Sequence, residues 1–233
     1  MNISVLPKLQ AMLIMGLTSL SDIACTRQGM LMDNSQLEDR LRDRMLAYQF
    51  LAHVYRAAPD SAFIDSLLAM DVDAITPLSN CVEVMKSRDP EDMRIELEAE
   101  YNRVFLGMSP DPIAPYESVY TSPEHLLMQD ARDEVAALYL AESLTLPGET
   151  RIPEDHIAFE FDYMAFLCGV AAQACAENDQ DKVAEYRDKQ RDFLEKHLLR
   201  WIPAMCQDMK KRVRTDFYRS ICDITMQQLE LVL

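Results

Sequence analysis

With 233 residues, the chain is long enough to bury a large core in one domain or in two small ones. Five glycines against fifteen methionines, in a sequence that is 49% apolar, leave little material for tight hairpins or phosphate-cradling loops and argue for helices throughout. A net charge of −16 argues against general nucleic-acid binding, which needs basic surface, and suits a basic partner or plain solubility.

Residues 1–31 do not read as part of a folded domain. Lys8 and the apolar run Leu9 to Leu20 resemble a weak signal-peptide core, but no Ala-x-Ala site follows, and Asp22 spoils a lipoprotein-type site before Cys25. The run is also too short and interrupted for a membrane span, so no stable membrane insertion is expected. Met30 and Met32 offer a later start just before a strong helix cap. The segment is therefore expected to be a non-native or disordered extension, with residues 32–233 forming the folded unit.

From there the elements follow in order. Ser35 to Glu38 matches a capping box, and Leu37, Leu41, Met45, Tyr48, Ala52 and Tyr55 then recur at helical spacing. Pro59 to Ser61 ends this helix and caps a short one carrying Phe63, Ile64, Leu67 and Leu68. Ile75, Leu78, Val82 and Met85 mark a third. Asp89 caps a fourth with Pro90 in its first turn, and Leu97, Tyr101, Val104 and Phe105 form its apolar face. Gly107 to Ser122 is the one long irregular stretch, with Pro110, Pro112 and the string Pro115-Tyr-Glu-Ser-Val-Tyr120. Ser122-Pro123 restarts a helix through about Ala141, which Leu146-Pro147-Gly148 breaks.

Pro153, Glu154 and Asp155 then open the most hydrophobic element. The proline lacks only an N–H that would be orphaned anyway, and the two carboxylates complement the positive end of the helix dipole. Through Ala176 this segment is apolar on nearly every face, as expected of a helix buried at the centre of an all-helical protein. A charged helix follows from Asp179 to about Leu199, Trp201-Ile-Pro203 makes a corner, and a last helix runs towards Leu229. The pattern predicts an all-α fold, a single globular helical domain of about eight to ten helices. Six cysteines without a CxxC pair or zinc spacing predict reduced, mostly buried thiols in a cytoplasmic protein.

No His carries a Glu three residues before it, and His-Glu-x-x-His, the phosphate loop and Gly-rich dinucleotide turns are absent from the sequence. Catalytic residues, metal and cofactor are accordingly not expected. Asp155-His156 at the mouth of the central helix leaves one alternative, a small helical enzyme or metal-binding protein using that pair. The loop from Gly107 to Tyr120 suits an extended peptide better than a compact metabolite. Prolines hold it open, Tyr116 and Tyr120 give rigid contact area, and Glu117 can pair with an arginine. Equally, the two tyrosines serve to fold the loop onto the core.

Three segments carry a resemblance: Glu100-Tyr-Asn-Arg-Val-Phe-Leu-Gly107, Pro115-Tyr-Glu-Ser-Val-Tyr120, and Pro153-Glu-Asp-His156 leading into the apolar helix. In this order and spacing they resemble the TorD/DmsD family of molybdoenzyme maturation chaperones. The resemblance implies a TorD-like, cytoplasmic, non-enzymatic chaperone. Its partners are implied to be the twin-arginine signal peptide and apoprotein of a molybdopterin-containing, DMSO/TMAO reductase-like enzyme, held until its cofactor is inserted. It implies peptide-binding roles for Pro153, Asp155 and His156, for Tyr116, Glu117 and Tyr120, and for Tyr101 and Phe105. It also implies a monomer or a dimer swapped through the linker Glu142–Ile152, and weak guanine-nucleotide binding, for which no motif exists here. A twin-arginine leader is basic and then apolar, so Glu117, Glu154 and Asp155 are expected to ring the entrance to an apolar cleft. On that reading Asp155→Ala weakens binding and leaves the thermal midpoint nearly unchanged.

Overall fold

Asp33 sets the register of the first helix. In the computed structural model, which describes residues 33–69, 77–146 and 150–230, its carboxylate accepts from Gln36 N at 2.8 Å while Gln36 Oε1 accepts from Asp33 N. The capping box is thus Asp33/Gln36, two residues before the expected Ser35/Glu38. Asp33 is the residue with extended backbone (φ −72°, ψ 163°), and Ser35 already lies in the first turn. The expected extension, residues 1–31, lies outside the described residues, as do Ile75 and residues 147–149 of the linker.

The helices are α1 (Asn34–Arg56), α2 (Ser61–Leu68), α3 (Pro77–Met85), α4 (Pro90–Phe105), α5 (Glu117–Thr121), α6 (Asp130–Ala141), α7 (Ile157–Ala176), α8 (Gln180–Phe193), α9 (Leu199–Arg212) and α10 (Asp216–Glu230), with a π-helical turn at Leu194–Leu198. Among the described residues there is no strand. The all-α expectation holds, and these elements form one helical domain around one main core.

The long helices α1 and α7 lie side by side at its centre, and α8 also packs along α7. Their close approach is legible at Gly169, where a Cβ would meet Met45 Sδ at 3.1 Å. Tyr48 and Phe161 meet across this interface with ring centroids 5.5 Å apart, and Trp201, Tyr55, Tyr218 and Phe217 are likewise fully buried. Burying a side chain of this kind contributes ~1.5–3 kcal/mol, so this aromatic packing holds the fold. α7 is long and apolar enough to cross a membrane, but 72% of its most apolar window is buried inside the protein. Cys168, Cys175, Cys206 and Cys222 are buried free thiols, Cys81 is half-buried, and Cys25 lies outside the described residues.

Three further expectations are corrected. Residues 122–129 are irregular, and α6 begins only at Asp130. His125 (φ 54°) and Met128 (φ 62°) adopt left-handed backbone that a right-handed helix cannot hold. Trp201-Ile-Pro203 is no corner, because the π-helical turn carries α8 into α9 and Pro203 lies inside α9. The corner comes at Val213, where buried Glu100 on α4 accepts from Arg214 N and, at 2.9 Å, from Thr215 N. Finally, α7 starts at Ile157 with His156 as its N-cap, and Pro153 to His156 forms a turn before it, closed by His156 N to Pro153 O at 3.2 Å.

Candidate peptide-binding site

The turn before α7 pairs with the segment before α5. Glu117 N donates to Asp155 O at 3.0 Å and Ile157 N donates to Pro115 O at 3.0 Å, forming a single antiparallel bridge between Tyr116 and His156. This pairing places the second and third motif segments in contact across about forty residues of sequence.

Asp155 is fully buried and stitches the two segments together. Its Oδ2 accepts from Ser118 N at 2.9 Å, serving α5 as a remote N-cap where the local cap residue, Tyr116, offers no side-chain bond. Its Oδ1 is buried without a hydrogen-bond partner. Burial pushes the carboxyl above the ordinary aspartate value, opposed by the Ser118 hydrogen bonds. His156 is buried beside it, with Nδ1 accepting from Ala158 N at 3.1 Å and the ring edge-on to Tyr116 at 4.9 Å. Burial, with the positive charge of Arg56, pulls its pKa down to about 3, so the imidazole stays neutral. The two side chains are committed to separate backbone amides, not to each other. The alternative built on an Asp155-His156 pair has no acid–base couple here, and among the described residues no three metal-ligating side chains converge.

Glu117 is also fully buried. Its Oε2 meets Nδ1 of His197, in the π-helical turn, at 2.8 Å, and its Oε1 lies 3.8 Å from Arg200 Nη1 on α9. Next to it, Glu160 of α7 accepts from the Trp201 indole N–H at 3.0 Å through Oε2. Burial, and then the charge and contact of Glu117, hold the Glu160 carboxyl well above the usual range. A proton on Glu160 gives that carboxyl a donor towards Glu117, which accounts for how two acidic side chains sit side by side in this interior.

Glu154 is the acidic residue that faces outward, and it is held by Arg132 in a two-point contact of 2.5 and 3.0 Å. The two line a shallow cleft of about 280 Å³ with Met128, Leu146, Ile152 and Pro153. Hence the expected ring of exposed carboxylates is corrected. Glu117, Asp155 and Glu154 are gathered in one region, but Glu117 and Asp155 point inward because each caps or bridges an inner polar group. Tyr116 and Tyr120 are half-buried, the latter with its ring tilted against Trp201 at 5.6 Å. Tyr101 and Phe105 belong to the core: Tyr101 donates its hydroxyl to Tyr55 O at 3.0 Å, and Phe105 packs against Tyr55 and Tyr218.

Sequence reasoning missed Glu160, His197, Arg200 and Trp201. The available signal was Glu160, one of two charged residues in the apolar run Ile157 to Leu167; His197 follows Glu195 and Lys196 and gave none. It also missed the segment Leu126-Leu127-Met128, whose residues are 57%, 45% and 57% exposed in the irregular stretch beside the cleft. Exposed Glu124, Asp130, Asp133 and Glu134 flank this segment.

Fold and site define an all-helical domain whose polar machinery sits where two loops meet beside an exposed apolar segment. Comparison with known proteins supplies the family. Residues 66–207 match the model described as nitrate reductase delta subunit, and the chain belongs to that family. Relatives include the chaperone protein TorD of Photobacterium profundum, 29% identical over 159 residues that span 68% of this chain and 71% of its own. The chaperone protein TorD of Aliivibrio salmonicida is 27% identical over 159 residues, 68% of this chain and 72% of its own. That of Vibrio cholerae is 29% identical over 154 residues, 66% and 68%.

Proposed function

We propose that the chain is a cytoplasmic, non-enzymatic chaperone for the maturation of a molybdenum-cofactor oxidoreductase, of the DMSO/TMAO reductase-like class. On this reading it engages the enzyme's twin-arginine leader and apoprotein before cofactor insertion, and it works without a resident metal or cofactor of its own. The observation that carries the reading is the bridge between Tyr116 and His156, which joins two motif segments into one junction in a chain of this family. The acidic and apolar surface beside it fits a partner that is first basic and then apolar. Carboxylates at Glu124, Asp130 and Glu134 draw the arginine pair, and Leu126, Leu127 and Met128 receive the apolar run. Each charge-assisted arginine contact contributes ~1.5–3 kcal/mol, and burial of the apolar side chains adds ~25 cal/mol per Å².

The test is calorimetric titration of the full chain with a leader peptide carrying Arg-Arg before an apolar run, at low and high salt. Binding that weakens with salt, and that is mostly lost when the arginines become glutamines, supports the reading. Equal affinity for the two peptides overturns its electrostatic part.

A further inference from the structure

We propose that Arg200 is a resident stand-in for a guanidinium supplied by the partner, and that the partner's arginine displaces Arg200 to reach Glu117. This rests on the leader-binding reading above and deepens it by assigning the place where an arginine enters.

Three carboxyl oxygens from three segments are buried without hydrogen-bond partners: Glu117 Oε1, Asp155 Oδ1 and Glu160 Oε1. Interior polar atoms are nearly always paired, so three orphans in one neighbourhood call for an explanation. Their charges act on one another, Glu117 and Asp155 both being felt at Glu160. A proton on Glu160 satisfies its contact with Glu117. It leaves Asp155 Oδ1 open, together with the second lone pair of Glu117 Oε1, the atom that faces Arg200. The region has more acceptors than donors.

Arg200 covers this region without completing it. Its Nη1 stands 3.8 Å from Glu117 Oε1, close enough for attraction but too far for a hydrogen bond, and the same nitrogen donates instead to Lys196 O at 3.2 Å. The side chain is 50% exposed, so it can swing into solvent. The ligand class follows from the acceptors. A guanidinium is planar, always charged, weakly hydrated and presents five donors in a fixed fork, which matches clustered carboxylate oxygens better than an ammonium does. The space it needs is the space Arg200 vacates.

Displacement makes Arg200 a competitor, and that fixes the sign of its removal. The experiment titrates wild type, Arg200→Gln, Lys196→Gln, Glu117→Gln and the Glu117→Gln/Arg200→Gln double variant with the Arg-Arg peptide and its Gln-Gln counterpart. Removing a competitor raises the population of the open site, so Arg200→Gln tightens the Arg-Arg peptide by about threefold or more and leaves the Gln-Gln peptide unchanged. Lys196→Gln removes the same charge one turn away and gives no comparable gain, and the gain vanishes in the Glu117→Gln background. Unchanged or weaker binding by a folded Arg200→Gln overturns the proposal, as does an equal gain from Lys196→Gln. Failure of wild type and Arg200→Gln alike to bind the Arg-Arg peptide overturns the leader-binding reading and this proposal with it.

Discussion

Trp201 donates its indole N–H to Glu160 across the centre of the protein at 3.0 Å, with both side chains fully buried. The bond ties α9 to α7 and orients the acid that lies next to Glu117. Because Glu160 is held far above the ordinary carboxylate range, its protonated form is the one the fold selects. Glu160→Gln keeps an acceptor for Trp201 and a donor towards Glu117, so urea unfolding should register a cost below ~1 kcal/mol. Glu160→Ala leaves the indole unpaired and opens a cavity, and should cost ~2–5 kcal/mol.

Two of the buried groups give opposite pH dependences. Burial lowers the His156 pKa to about 3 in the folded chain against about 6.5 for an unfolded histidine, so the unfolded chain binds more protons between these limits. Its contribution is fully present above about pH 6.5 and is lost as pH falls towards 3, with a slope of up to ~1.4 kcal/mol per pH unit. Glu160 has the reverse sign, its contribution being lost as pH rises from 4.5 through its raised folded value. His156→Asn keeps a good N-cap and removes the titration. Compared with wild type at pH 7 and pH 5, it should lose less stability on acidification.

The expectation that Asp155→Ala spares stability is revised by the geometry. Asp155 is the remote cap of α5, so the alanine variant should lose ~0.5–2 kcal/mol in denaturant unfolding. Asp155→Asn retains an oxygen for Ser118 N while removing the charge. It should unfold within ~0.5 kcal/mol of wild type yet bind the Arg-Arg peptide several-fold more weakly. If Asp155→Asn binds as wild type does, the charge of Asp155 has no part in recognition.

Leu126, Leu127 and Met128 are exposed and stand outside the buried core. Replacing all three by serine should leave the unfolding midpoint within about 2 °C. Affinity for a leader with an intact apolar run should fall about tenfold, while affinity for a truncated peptide holding only the arginine region should not change.

Much of the helical layout was legible because apolar spacing and caps are local signals: Asp60 before α2 and Asp89 with Pro90 at α4 stand where the sequence puts them. The motif segments 115–120 and 153–156 were legible as special for the same reason, through their prolines and aromatic-acidic strings. What could not be read was the direction of the side chains. Glu117 and Asp155 look like surface acids in sequence, and only the loop-to-loop bridge turns them inward against His197 and Ser118. Likewise Pro203, ordinarily a helix breaker, is accommodated because the preceding π-helical turn resets the backbone before α9.

The most direct test of leader docking at this junction is crosslinking of wild-type protein with a leader peptide bearing a photoreactive group beside its arginine pair, mapped by mass spectrometry. Crosslinks confined to residues 116–128, 153–156 and the neighbourhood of Arg200, and lost with the Gln-Gln peptide, are the expected result. Crosslinks spread over α2, α3 and α8, or unchanged by loss of the arginines, contradict it.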